Sequence, residues 1–360
     1  MKKILVSGGC GFLGSHLVDR LLLRDDVELI LVVDNLWTGR AKNLAHINDS
    51  RLDFVECDVE KYATNVRFEE IIHLASPASP PWYMREPVRV VQANVHGALN
   101  LLDCLAPQGR ICYTSTSEVY GDPLVSPQPE SYRGSVDCTG PRSSYDESKR
   151  CTEALLFESQ RVSGLDIRVA RLFNVYGPRT RIDDGRAISN FLGQALMTGE
   201  LTVYGDGLQS RSWGYVDDIM EALARFFWRD DIRYRGPLNV GNDREIPVID
   251  IARYIQQLVP GTTIKFMPSL PQDPTNRRPD LTIAKTVLPG WQAEIPYEEG
   301  VNRTLEWFRA EIANGVGHLQ APAPFFGAKA ELGVRTASHT SADRDRMDTV
   351  QQPGRQVRSL

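Results

Sequence analysis

Tyr145 and Lys149 stand four residues apart, a spacing that puts both on one face of a helix, and a short stretch upstream reads Thr116-Ser117-Glu118 at the end of an apolar run. An ammonium beside a phenol lowers a pKa that otherwise lies near ~10, so the pair reads as a general base for an alcohol, with the Thr116 hydroxyl holding the alcohol oxygen in line. Such a pair is also common as a plain surface contact. Its meaning depends on the elements that position it.

Those elements begin at Ile4-Leu5-Val6, which leads into Ser7-Gly8-Gly9-Cys10-Gly11-Phe12-Leu13-Gly14 and then the helical pattern Leu17, Val18, Leu21, Leu22. Gly8, Gly11 and Gly14 at this spacing give a tight turn, close approach of backbone to a pyrophosphate and close packing of helix on strand. A second apolar run, Leu29 to Val33, ends in Asp34, where a carboxylate meets the adenosine ribose hydroxyls. The order strand, glycine turn, helix, acid predicts a dinucleotide site. Asp34 favours NAD over NADP, because it accepts from a free ribose hydroxyl and repels a 2′-phosphate. Arg40 reads as a solvated loop charge.

Apolar runs at Ile4–Val6, Ile30–Val33, Asp53–Val55, Ile71–Leu74, Arg110–Thr114 and Ile167–Arg171 alternate with amphipathic helices, which predicts an α/β fold with a doubly wound parallel sheet of Rossmann type. Ligands of such sheets lie beyond the carboxyl ends of the strands, where Asp58, Ser76 and Thr116 fall. The regular alternation lapses after Asn174. The reading is therefore an NAD-binding domain over residues 1–173, with a segment around 214–241 returning to it, and a smaller C-terminal substrate-binding lobe from 174–213 and 242–315. The polar stretch 321–360 reads as a disordered tail.

A formal net charge of −5, from 41 basic and 46 acidic residues, leaves no electrostatic footprint for nucleic acid or an anionic membrane, so an anionic ligand must be held by local arginines. The six cysteines form no C-x-x-C pair and no metal-like grouping with histidine, which reads as reduced thiols of a cytoplasmic protein without a metal. No run approaches transmembrane length.

The glycine turn, Asp34, Tyr145-x-x-x-Lys149 and Arg171-Leu-Phe-Asn174-Val-Tyr-Gly-Pro178 together resemble the extended short-chain dehydrogenase/reductase family that acts on nucleotide sugars. Within it, His73-Leu-Ala-Ser-Pro-Ala-Ser-Pro-Pro81, Thr116-Ser117-Glu118-Val-Tyr-Gly-Asp122-Pro123 and Asp184-Gly185-Arg186 resemble the UDP-glucuronate decarboxylases, also called UDP-xylose synthases. The likeness runs from Lys3 to about Phe308. It implies that NAD meets Gly8, Gly11, Phe12, Leu13, Gly14, Asp34, Asn35, Gly39, Asp58, Leu74, Ala75, Ser76, Tyr145 and Lys149. It further implies substrate contacts from Asn174, Arg186, Tyr204, Gln209, Arg211 and Arg277, with Arg277 on the diphosphate. Thr116, Glu118, Tyr145, Lys149 and Arg211 are the implied catalytic group, Glu118 shaping the sugar ring and Arg211 taking part in protonation. The resemblance also implies a homodimer.

The implied reaction oxidises carbon 4 of a glucuronate, places a ketone β to the carboxylate, loses carbon dioxide and reduces the ketone. Ser117 stands where sugar-nucleotide 4,6-dehydratases carry the acid that expels a carbon 6 hydroxyl. Other readings remain open: release of the UDP-4-keto-pentose, use of TDP-glucuronate, a dehydratase or 4-epimerase, and a non-catalytic regulator that binds NAD and sugar nucleotide. The last usually lacks the tyrosine or lysine retained here.

Overall fold

The structure is a computed structural model and describes residues 1–269 and 276–315. Seven strands form its main sheet: β1 (Lys2–Ser7), β2 (Val27–Asp34), β3 (Leu52–Glu56), β4 (Phe68–His73), β5 (Leu105–Thr116), β6 (Asp166–Leu172) and β7 (Pro237–Val240). They lie in the order β7-β6-β5-β4-β1-β2-β3, every neighbouring pair parallel. Ile4, Leu5 and Val6 of β1 are all fully buried, because helices cover both faces and consecutive residues therefore meet apolar cover on opposite sides. At the open edge β3 leaves Phe54 and Val55 exposed.

Register brings the carboxyl ends together: Ser7 lies beside Val33 and His73, His73 beside Tyr113, and Thr116 beside Leu172. The strand order reverses at β1 and β4, so the chain leaving β1 turns away from the chain leaving β4 and a crevice opens between them. The helices α1 (Phe12–Leu22) and α2 (Ser143–Ser163) bring the glycine turn and Tyr145-Lys149 to this crevice. Gly164, at φ +68°, ends α2 in the left-handed region.

Beyond β6, helices α3 (Ala187–Met197), α4 (Val216–Trp228), α5 (Val248–Leu258) and α6 (Tyr297–Ala313) alternate with small strand groups outside the main sheet, and shorter helices lie at Pro80–Tyr83, Pro87–Val91 and Gly97–Asp103, before β5, and at Thr282–Val287. Val175–Tyr176 pairs with Gly214–Tyr215, and Glu200–Tyr204 with Thr263–Met267. Ser210–Ser212 carries Glu245–Pro247 on one side and Asn276–Arg277 on the other. One apolar core joins β1 and α1 to α3, α4 and α6. The stretch read as a tail, 321–360, lies outside the described residues.

A charge cluster closes the amino ends of the strands. Arg110 donates to Asp166 (2.6 Å), Asp230 (2.7 Å) and the Phe227 carbonyl (3.0 Å), while Arg168, 1% exposed, donates to the Phe226 and Arg229 carbonyls and to Asp166. Arg24 and Lys2 likewise share Glu70.

Candidate active site

The turn after β1 is built for a close ligand. Gly8 adopts φ +76°, and a Cβ there would lie 2.7 Å from the Ala75 nitrogen; one on Gly14 would lie 2.1 Å from the Gly8 carbonyl, so α1 packs against the turn with no room for a side chain. Gly11 caps α1 with no side-chain hydrogen bond, which leaves the first amides of the helix facing outward, as anion binding requires. Phe12 and Leu13, in the first turn, are half-buried against the core.

Asp34 ends β2 and is 7% exposed; it accepts from the amides of Cys10 (3.0 Å) and Leu36 (2.9 Å). Burial raises its pKa, against those two hydrogen bonds and with help from Glu56. Gly39 faces it, a Cβ there lying 2.8 Å from both carboxylate oxygens. Asn35 donates to Asp58 at 2.7 Å, and Asp58 is also held by Lys61 and Arg89. Past β4, Leu74 and Ala75 bond Ser7 through their amides, while the buried Ser76 hydroxyl has no partner. An outward-facing helix terminus, a buried acid at the second strand and an orphaned hydroxyl along the crevice fit a dinucleotide.

Arg40 departs from its reading as a solvated charge. Its side chain is 14% exposed, pairs with Glu311 of α6 at 3.3 Å and lies 5.5 Å from the Trp307 ring centre. It ties the loop after Asp34 to the last described helix.

Tyr145 is 4% exposed and stacks on Tyr83 with ring centres 5.0 Å apart and planes 6° from parallel. Lys149, also buried, donates to the Thr114 carbonyl at 2.8 Å and lies 4.6 Å from the Tyr113 ring centre and 5.8 Å from that of Tyr145. Burial brings its ammonium down to about 7, against the pull of Glu153. Burial also pushes the Tyr145 phenol above its ordinary value. Its hydrogen bond with Thr116 and the charge of Arg186 pull the other way, while Glu118 and Asp146 add to the rise. In this geometry the lysine bonds a backbone carbonyl, and desolvation of a buried phenolate outweighs the charges around it.

Thr116 ends β5 and accepts from the Glu118 amide at 3.2 Å. Arg142 and Arg277 both donate to Glu118 Oε2, Arg277 at 3.0 Å. Burial opposes ionisation of Glu118, but the charges of Arg277, Arg142 and Arg211 prevail and hold its carboxyl below the usual range. Arg277, 1% exposed, spends its other nitrogen on the carbonyls of Ser117 (3.2 Å) and Gly121 (2.6 Å). Through these contacts Arg277 grips the Ser117–Gly121 turn. Arg211 lies beside it in strand register.

Asn174 follows β6 with its side-chain nitrogen buried and unpartnered, a free donor of the kind a ligand fills. Arg186 caps α3, is held by Asp184 at 2.6 Å, and sits 5.9 Å from the Phe12 ring centre, close enough for its charge to act on Tyr145. The Gln209 amide donates to the Tyr204 carbonyl at 3.0 Å, so these two positions form one unit.

Three residues of this cluster escaped the sequence reading. Arg142 is an isolated arginine, Tyr83 belongs to a four-residue helix, Pro80–Tyr83, and Asp146 looks like an ordinary acid in the first turn of α2. The one available signal was the carboxylate directly after the candidate base. Among the described residues no group of three or more His, Cys, Asp or Glu is placed to hold a metal ion.

Residues 4–241 match the NAD dependent epimerase/dehydratase family. The chain is 46% identical to UDP-glucuronic acid decarboxylase 5 of Arabidopsis thaliana over 86% of its length and 90% of that protein's. It is 42% identical to UDP-glucuronic acid decarboxylase 1 of Xenopus tropicalis over 90% of its length and 76% of that protein's. A dTDP-glucose 4,6-dehydratase from Streptomyces venezuelae, solved with NAD bound, superposes with a TM-score of 0.77 at 26% identity, covering 86% of this chain and 98% of the other.

Proposed function

This chain belongs to the NAD dependent epimerase/dehydratase family, among the UDP-glucuronic acid decarboxylases, and from that premise we propose that it converts UDP-glucuronate to UDP-xylose through a 4-keto intermediate. The glycine turn, Asp34 and Lys149 are the residues that hold NAD, which when bound supplies the two-electron acceptor for carbon 4 and a positive charge near the phenol. Tyr145 takes the carbon 4 hydroxyl proton while Thr116 keeps the oxygen in line. With a ketone β to the carboxylate, the bond to carbon 6 breaks, and Tyr145 donates to the oxygen on which charge develops. Tyr145 returns its proton when the ketone is reduced. Arg186, Arg211, Arg277, Asn174, Tyr204 and Gln209 are read as holding the anionic sugar nucleotide, and 174–213 with 242–315 as the lobe that carries them.

The observation that carries this reading is the pairing of a buried serine at 117, 2% exposed, with a Glu118 held ionised by Arg142 and Arg277. A dehydratase needs a proton donor at this point. Serine is too weak an acid, and an ionised Glu118 has no proton to give. Incubation with UDP-glucuronate should release carbon dioxide and yield UDP-xylose by NMR, with more product than bound NAD. Accumulation of a 4-keto-pentose, or better use of TDP-glucuronate, would redirect the assignment of product or nucleotide; a 4-keto-6-deoxy sugar formed from TDP-glucose would replace decarboxylation with dehydration.

A cytoplasmic homodimer completes the reading. Its support is Val88, Val91 and Leu99, exposed by 70, 39 and 45% along the helices that precede β5, together with cysteines that are all unpaired. No described helix is long and apolar enough to cross a membrane. Sedimentation equilibrium tests the dimer, and a monomer at micromolar concentration would end it.

A further inference from the structure

Loss of carbon dioxide breaks the bond between carbons 5 and 6 and leaves its electron pair in an enolate over carbon 5, carbon 4 and the carbon 4 oxygen; a proton then joins carbon 5. One carboxylate and one proton enter, and carbon dioxide and the pentose leave. Tyr145 takes a proton at the carbon 4 oxygen and returns it there, so it supplies none of this. Each turnover draws one further proton from solvent into a pocket whose working groups are buried.

Asp146 follows Tyr145 on α2. Its side chain is 9% exposed, its Oδ1 is buried without a partner, and its Oδ2 lies 3.9 Å from Arg142 Nε. The same guanidinium donates through Nη2 to Glu118, on which Arg277 also converges. Two carboxyl groups therefore share Arg142, and they share it unequally: Glu118 has two guanidinium hydrogen bonds, Asp146 one long ion contact and an idle oxygen.

We propose, resting on the decarboxylase reading, that Asp146 is the proton store of this site: as the protonated half of a carboxyl pair with Glu118 it gives up the proton that joins carbon 5, is left as a carboxylate and regains a proton from solvent before the next turnover, and Arg142 positions the pair. The surrounding charges agree. Burial and then the Glu118 charge raise the Asp146 pKa, Arg142 and Arg277 oppose them, and Glu147 adds to the rise. Tyr83, whose hydroxyl is buried without a partner, and Tyr145 also act on it. When two carboxyls compete for one proton, it goes to the one with weaker cationic support.

The test uses the full-length protein with UDP-glucuronate. Asp146→Asn keeps the shape and removes the titratable proton. It should leave the melting temperature and the Kd for NAD unchanged, slow product formation roughly 10- to 100-fold, build up reduced nicotinamide during turnover, and lose the alkaline limb of the kcat profile, on which wild-type activity falls as Asp146 deprotonates. Asp146→Glu should restore that limb. Arg142→Lys, which keeps the charge and loses the fork, should move the limb and serves equally if the first variant fails to fold. An alkaline limb unchanged in these variants, whether their rate is normal or reduced, overturns the proton assignment alone. Wild-type enzyme that releases no carbon dioxide from UDP-glucuronate overturns the decarboxylase reading and this inference with it.

Discussion

The two ends of the main sheet each carry a knot of buried charge, and the two are built on opposite principles. At the amino ends, Arg110, Arg168 and Arg235 converge on Asp166 and Asp230, and Arg110 and Arg168 place their remaining nitrogens on backbone carbonyls, so the buried guanidinium and carboxylate groups all have partners. At the carboxyl ends, Glu118 is crowded by arginines while Asp146 Oδ1, the Tyr83 hydroxyl, Ser115 Oγ and Asn174 Nδ2 are buried with nothing to bond. A buried polar atom without a partner costs roughly 1–3 kcal/mol. A fold keeps such groups where a ligand or a proton completes them. Satisfaction, more than burial or charge, separates the structural knot from the working one.

Tyr145→Phe breaks the working end most deeply. Turnover should fall by roughly 10³-fold, because the ring stack on Tyr83 survives and only the proton carrier is lost. The melting temperature should hardly move, and activity within a few-fold of wild type would remove Tyr145 from the mechanism. Arg110→Met tests the other end. It should cost about 2 kcal/mol in urea unfolding, less than the ~3–5 of a fully buried pair because Asp230 is exposed and Asp166 keeps Arg168, while kcat and KM stay within twofold. A clear loss of activity at unchanged stability would erase the distinction between the two knots.

Asp34→Ala should weaken NAD binding by about tenfold, the scale of one charged hydrogen bond, and narrow the gap to NADP in direct titration. A further prediction concerns Lys149, whose ammonium is brought down to about 7 in the fold from 10.5 in its absence. Between those values the unfolded chain binds the extra proton, so stability should rise with pH from about 7 toward 10.5, by at most ~1.4 kcal/mol per unit. Lys149→Met should flatten that rise. Equal slopes for the two proteins in urea midpoints at pH 7.5 and 9 would show that the lysine is not driven toward its neutral form by burial.

The dinucleotide half was legible because its parts are neighbours in the chain. Strand, glycine turn, helix and acid run from Lys2 to Asp34, and hydrophobic period and glycine spacing report on such local order directly. The six expected strands appear within a few residues of their positions, the seventh, Pro237–Val240, belongs to the segment read as returning, and Tyr145 and Lys149 share α2 as their spacing required. The substrate half was legible only as a set of resemblances. Arg277 grips a glutamate 159 residues away, and Arg142 and Asp146 carry no period or motif of their own.

The sequence by itself determined the sheet, the cofactor crevice and the helix face that presents the base, since those follow from residues a few positions apart. Tertiary structure alone decided which arginine holds Glu118, where the lysine ammonium bonds, and in which direction the phenol and the Asp146 carboxyl shift. Those are questions of desolvation and of charge brought together from distant strands, and burial is a property of the packed molecule that no spacing along the chain contains.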